Sequence, residues 1–173
     1  KDPFGSSDYT ERQRAYATIQ KESSVYTPQM IVNGVHGFVG SDREKARVAI
    51  HDVHSRAPKS LKIKAAQDDD GKSWSVQVIS DVPAAPDLVL WVVLAEDNLV
   101  SEVTRGENKG KTLVHQAVVR SLSRYDISNA DEVKSPYVAR VPWKAEFKAA
   151  NCRIVAGIQS EKTGALLAVG ASE

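Results

Sequence analysis

The sequence predicts an α/β segment over residues 1–57 followed by an all-β, antiparallel, sandwich-like domain over residues 58–173. Three observations carry that division. Two helical patterns with an Asn-Gly hairpin between them fill the first part. From Leu61 onward, apolar residues come instead in short runs at roughly even spacing, separated by turn residues. Between the two patterns, Ala57-Pro58-Lys59-Ser60 breaks the chain.

In chain order, Ser7 or Asp8 is placed to cap a helix through Glu11 to Lys21, with Ala15, Tyr16 and Ile19 on its apolar side. Pro28 prevents that helix from continuing. Met30-Ile31-Val32 and Val35 to Val39 flank Asn33-Gly34, the dipeptide that favours a type I′ turn because both residues tolerate positive φ. Ser41-Asp42-Arg43-Glu44 reads as a capping box opening a second helix, in which Ala46, Ala49, Ile50 and Val53 form a buried stripe. In the second part, Leu61 to Ala66 and Trp74 to Ser80 are joined by the turn Asp68-Asp69-Asp70-Gly71. Leu88 to Leu94 is an unbroken apolar run, expected to be a strand covered on both faces. Leu99 to Thr104, Thr112 to about Tyr125, Tyr137 to Val141, Lys144 to Ala149, Arg153 to Gln159 and Ala165 to Val169 read as further strands, the last two joined by Lys162-Thr163-Gly164.

Charge and composition exclude several roles. With 23 basic and 22 acidic residues and no basic run, the chain has no electrostatic footprint for nucleic acid. No window approaches the ~18 apolar residues of a transmembrane helix. Cys152 is the sole cysteine, so these residues hold no internal disulfide and no Cys-x-x-Cys pair, and its apolar setting reads as a structural thiol. His51 and His54 share a helix face but lack a third ligand, and Asp68-Asp69-Asp70-Gly71 lacks the bidentate acid of a calcium loop. No metal or other cofactor is therefore expected. Arg105, Glu107, His115 and Arg120 come from neighbouring predicted strands and could converge as a surface ion-pair group, while His36 is expected to face solvent.

Helix, proline, hairpin and helix, in that order, match the second half of a thioredoxin-like domain, where a cis proline precedes the hairpin. Two helices and two strands bury too little to offset an ordering cost of about 1–2 kcal/mol per residue, and the hairpin would leave a bare edge. A strand-helix-strand unit, upstream in the same product or on a partner protein, is expected to complete the sheet.

Lys1 to Ser6, Thr10-Glu11-Arg12-Gln13-Arg14-Ala15-Tyr16, Tyr26 to Met30 with Val32-Asn33-Gly34, Phe38 to Arg43, Val103 to Asn108, and His115 with Val118-Val119-Arg120 resemble the thioredoxin-like domain-of-unknown-function family 1223. That resemblance implies an exported, periplasmic or mitochondrial protein whose relatives carry a Cys-x-x-Cys-Pro-type motif upstream of the region present here. It also implies that Tyr26, Thr27 and Pro28 contact a bound peptide. Lacking the cysteine pair, the chain is expected to be a non-catalytic structural or interaction subunit. The alternative is a thiol-disulfide oxidoreductase whose cysteines lie upstream of this chain.

Overall fold

The Ser6 hydroxyl accepts a hydrogen bond from the Asp8 N–H at 3.2 Å and thereby opens helix α1, Ser7–Ile19. The helix starts and stops earlier than its sequence pattern suggests, because Ser6 supplies the cap and Lys21 already lies at positive φ. This computed structural model describes residues 4–55, 58–106, 108–129 and 135–172. Strands β1 (Gln29–Val32) and β2 (His36–Val39) form an antiparallel pair. Asn33 and Gly34 close its turn at φ 51° and 77°, with Val35 N–H donating to Val32 O. Helix α2 (Arg43–Ser55) is capped by Asp42, which accepts from the Lys45 N–H at 3.0 Å. The expected box on Ser41 is not made, since Glu44 turns instead to Arg47.

The remaining strands are β3 (Lys59–Ser60), β4 (Lys62–Gln67), β5 (Ser73–Ile79), β6 (Leu88–Glu96), β7 (Leu99–Glu102), β8 (Thr112–His115), β9 (Val118–Asp126), β10 (Tyr137–Pro142), β11 (Cys152–Ser160) and β12 (Leu166–Ala171). They make a three-stranded sheet, β10-β5-β4, a five-stranded sheet, β3-β12-β11-β6-β9, and the separate pair β7-β8. Pairing is antiparallel except between β3 and β12. The chain is thus mixed α/β with mostly antiparallel sheets.

Period-two alternation explains how the sheets meet. Val76 and Val78 of β5, Tyr137, Ala139 and Val141 of β10, Leu88 to Leu94 at even positions of β6, and Ile154, Ala156 and Ile158 of β11 share one buried cluster. The two larger sheets therefore pack face to face across it. None of that cluster comes from residues 4–55, whose buried apolar side chains among the described residues are Ala17, Phe38 and Ala49. Helix α1 lies instead on the outer face of the five-stranded sheet, where the Tyr9 hydroxyl donates to Val119 O at 2.9 Å and Arg12 covers the Trp91 ring. Trp91 is an odd-numbered residue of β6, so this strand has both faces occupied, as its unbroken apolar run anticipates.

Four local expectations are corrected. The run Thr112 to Tyr125 is two strands, because Ala117 takes a positive φ of 53° and its N–H donates to the Asp97 carboxylate. Lys144 to Ala149 is a turn leading into the 3-10 helix Ala149–Asn151, since Phe147 N–H bonds back to Lys144 O and Lys148 N–H is taken by Glu96. Ile50 is exposed, because α2 meets β1 only along the side carrying Ala46, Ala49 and Val53. His36 does not simply face water: its Nε2 lies 3.1 Å from Asp52 of α2. The proposed boundary at residue 57 falls outside the described residues.

Candidate functional site

Tyr26, Thr27 and Pro28 form the approach to β1. Gln13 reaches from α1 and its Nε2 donates both to Tyr26 O (2.9 Å) and to Gln29 Oε1 (3.1 Å), fixing the chain on either side of the proline. Glu22 accepts from the Tyr26 hydroxyl and from Gln29 Nε2. The Thr27–Pro28 peptide is cis, and Pro28 O accepts from Gly40 N–H at 2.9 Å across the end of the hairpin. Tyr26 is half-buried; Thr27 and Pro28 are exposed. Neither the N–H nor the C=O of Thr27 has a partner among the described residues.

Two grooves flank this segment. One, of about 810 Å³, runs between the start of α1 and Thr27, Gln29 and Ile31. The other, of about 1030 Å³, lies between β2 and α2 and contains Tyr26, Phe38, Val48 and Asp52. Among the described residues β1 and β2 have only each other as neighbours in their sheet. An unpaired strand edge beside a free backbone donor and acceptor can accept an added strand.

Elsewhere the candidate chemistry is absorbed into structure. Cys152 is half-buried on the inner face of β11, directly across from Glu96. Burial first, and then the Glu96 charge, push its thiol up to about 11, the reverse of what a reactive thiolate needs. His115 and Arg120 both meet the Phe4 ring, His115 also contacting Ser101 and Arg120 packing against Glu96; Arg105 is exposed, and Glu107 lies outside the described residues. Asp68 anchors its turn by accepting from Ser73 and Ser75, both at 2.6 Å, which with Arg140 holds its carboxyl below the usual range. Among the described residues no three His, Cys, Asp or Glu side chains are grouped to hold a metal ion, and no helix is long and apolar enough to cross a membrane.

Sequence reasoning missed the buried pair Glu96–Arg120. β9 carries one extra residue here: Ser121 pairs with Leu94 and Val119 with Ala95, leaving Arg120 in a bulge that turns its side chain toward Glu96. The even parity that Glu96 shares with Leu94 was the available signal.

Two packed, mostly antiparallel sheets with an α-hairpin-α lobe on one outer face define a class by architecture. The chain belongs to a family of proteins of unknown function, DUF1223, which matches residues 1–159. It is similar to the crystal structure of protein AGR_C_4864 from Agrobacterium tumefaciens, with a TM-score of 0.56 and 21% identity, over 99% of this chain and 72% of that one. At that identity the likeness speaks to fold alone. No curated protein matches the sequence.

Proposed function

We propose that this chain is a non-catalytic interaction subunit whose first 57 residues form the latter half of a thioredoxin-like domain, completed by a strand-helix-strand unit from the same gene product or from a partner protein. The observation that carries the reading is the two-stranded β1-β2 sheet, which among the described residues has no third strand and leaves the Thr27 backbone unused beside it. Val48 of α2, 63% exposed and lining the groove beside β2, supplies apolar surface for the same contact. In this reading Tyr26, Thr27 and Pro28 present the accepting backbone. An exported, periplasmic or mitochondrial setting accompanies the family resemblance.

The test is amide hydrogen exchange on the chain alone and on the assembly purified from its source. Residues 29–39 exchange faster in the first than in the second. Val48→Glu changes the isolated chain's stability by no more than about 0.5 kcal/mol but dissociates the assembly. Identical exchange in both samples would overturn the proposal. The alternative, a disulfide oxidoreductase with upstream cysteines, is favoured by the exposed Thr27–Pro28 segment; it requires insulin-disulfide reduction by the longer product that is lost when its first cysteine is replaced.

A further inference from the structure

A cleft of about 550 Å³ separates α1 from the outer face of the five-stranded sheet, within the ~300–1,000 Å³ range of small-molecule sites. Trp91 and Leu122 line the sheet side, and Ala15 and Ile19 the helix side. Arg12 enters it from α1, its guanidinium carbon 4.1 Å from the Trp91 ring centroid. Its Nη2 donates to the Tyr16 hydroxyl (2.8 Å) and to Gln159 Oε1 (3.2 Å), and buried Gln159 also donates to that hydroxyl. The guanidinium is therefore fixed by neutral groups.

What it lacks is an anion. Among the described residues no carboxylate pairs with Arg12, and its Nε and Nη1 have no acceptor. The Trp91 indole N–H is buried without a partner and closed to the cleft, so the ring offers a ligand its face alone. A cation partly withdrawn from water onto an aromatic face is stabilised when a counter-charge is returned to it, and burial accordingly lowers the Arg12 pKa. The other arginine of the cleft is already committed, since Arg124 makes two bonds to Glu161 at 2.9 and 2.8 Å. Asp8 and Glu11 stand at the mouth and repel a multiply charged ligand more than a singly charged one.

We infer that this cleft binds an apolar monocarboxylate, its carboxylate on the unused donors of Arg12 and its body against the Trp91 ring, Leu122, Ala15 and Ile19. The same chemistry is offered by a small free acid and by the C-terminal carboxylate of a protein chain ending in an apolar residue.

Indole N–H resonances test this directly, with that of Trp91 identified by Trp91→Phe. Titration with 3-phenylpropionate should move the Trp91 resonance saturably and leave those of Trp74 and Trp143 in place, whereas the neutral amide of the same acid should not bind. Arg12→Gln should weaken binding at least tenfold; should that variant misfold, Ala15→Phe, at an exposed helix position, fills the cleft and abolishes binding. A short peptide ending in phenylalanine with a free carboxyl that binds more tightly than 3-phenylpropionate identifies a protein C-terminus as the source, and weaker binding identifies a small acid. No saturable shift with either probe, equal binding of acid and amide, or unchanged affinity in Arg12→Gln would overturn the inference.

Discussion

Glu96 has no solvent exposure, yet it lies at the end of an apolar strand where a charged residue would ordinarily meet water. Its Oε1 accepts from Lys148 N–H at 3.0 Å, and its Oε2 lies 3.3 Å from Arg120 Nε, at ion-pair distance though not aligned as a hydrogen bond. Arg120 in turn packs 4.7 Å from the Phe147 ring centroid and meets Glu146 on its outer side. One carboxylate thereby holds the 144–148 turn, the β9 bulge and β6 together. Removing Glu96 leaves the Lys148 N–H without its acceptor and Arg120 with Glu146 alone, so Glu96→Ala should cost about 2–3 kcal/mol in urea unfolding. Glu146 is 63% exposed, and Glu146→Ala should cost about 1 kcal/mol or less. Similar losses for the two would show that Glu96 is not the anchor.

At the level of elements, the hairpin tip is held as much by its neighbour as by its own turn. Asn33 O accepts from Leu166 N–H at 3.2 Å, and a Cβ on Gly34 would lie 1.8 Å from Gly164 O. Gly110 has a similar φ of 81° but open space around it. Gly110→Ala should cost about 1–2 kcal/mol for left-handed backbone alone. Gly34→Ala should cost more and raise hydrogen exchange across β1, β2 and the β11-β12 turn; equal costs would mean the tip is not docked. This element also shows how far sequence reaches. Asn33-Gly34 announced the turn because both residues tolerate the required φ, and Leu88 to Leu94 announced the strand with two covered faces. Ala117 carried no such signal, because positive φ there is imposed by the Asp97 contact rather than by residue type. Nor could pattern alone show that α1 covers Trp91, since a helix face does not name the sheet it lies on. The place of Pro28 at the head of β1 was legible from a proline before an apolar strand; the Arg12 cleft was not, because Arg12, Trp91 and Gln159 are brought together only by the fold.

Across the whole molecule, titration should narrow stability from both sides. Asp68, Asp97, Asp42 and Asp126 are held below the ordinary carboxylate range, led respectively by the Ser73 hydroxyl, the Ala117 N–H, the Lys45 N–H and the Ser128 hydroxyl. A depressed folded-state pKa stabilises above the unfolded value of about 3.9 and loses that contribution as pH falls through the folded value. The Cys152 thiol works at the other end: raised to about 11, it keeps its proton in the folded state after the unfolded chain has released it. Stability should therefore fall as pH rises from about 9 to about 11. Urea midpoints across pH check both limbs, with Asp68→Asn softening the acid one and Cys152→Ala the alkaline one. Unchanged limbs in these variants would place the titrating groups elsewhere.

The short strand β3 runs parallel to β12, with Lys59 and Ser60 opposite Ala168 and Val169 and with Leu61 N–H bonded to Val169 O. Traction on the N-terminal lobe against the far end of β12 pulls these two strands past one another, so their cross-links strain together instead of opening singly like a zip. Beside the α1 and hairpin-tip contacts, this margin joins lobe to sheet in shear geometry.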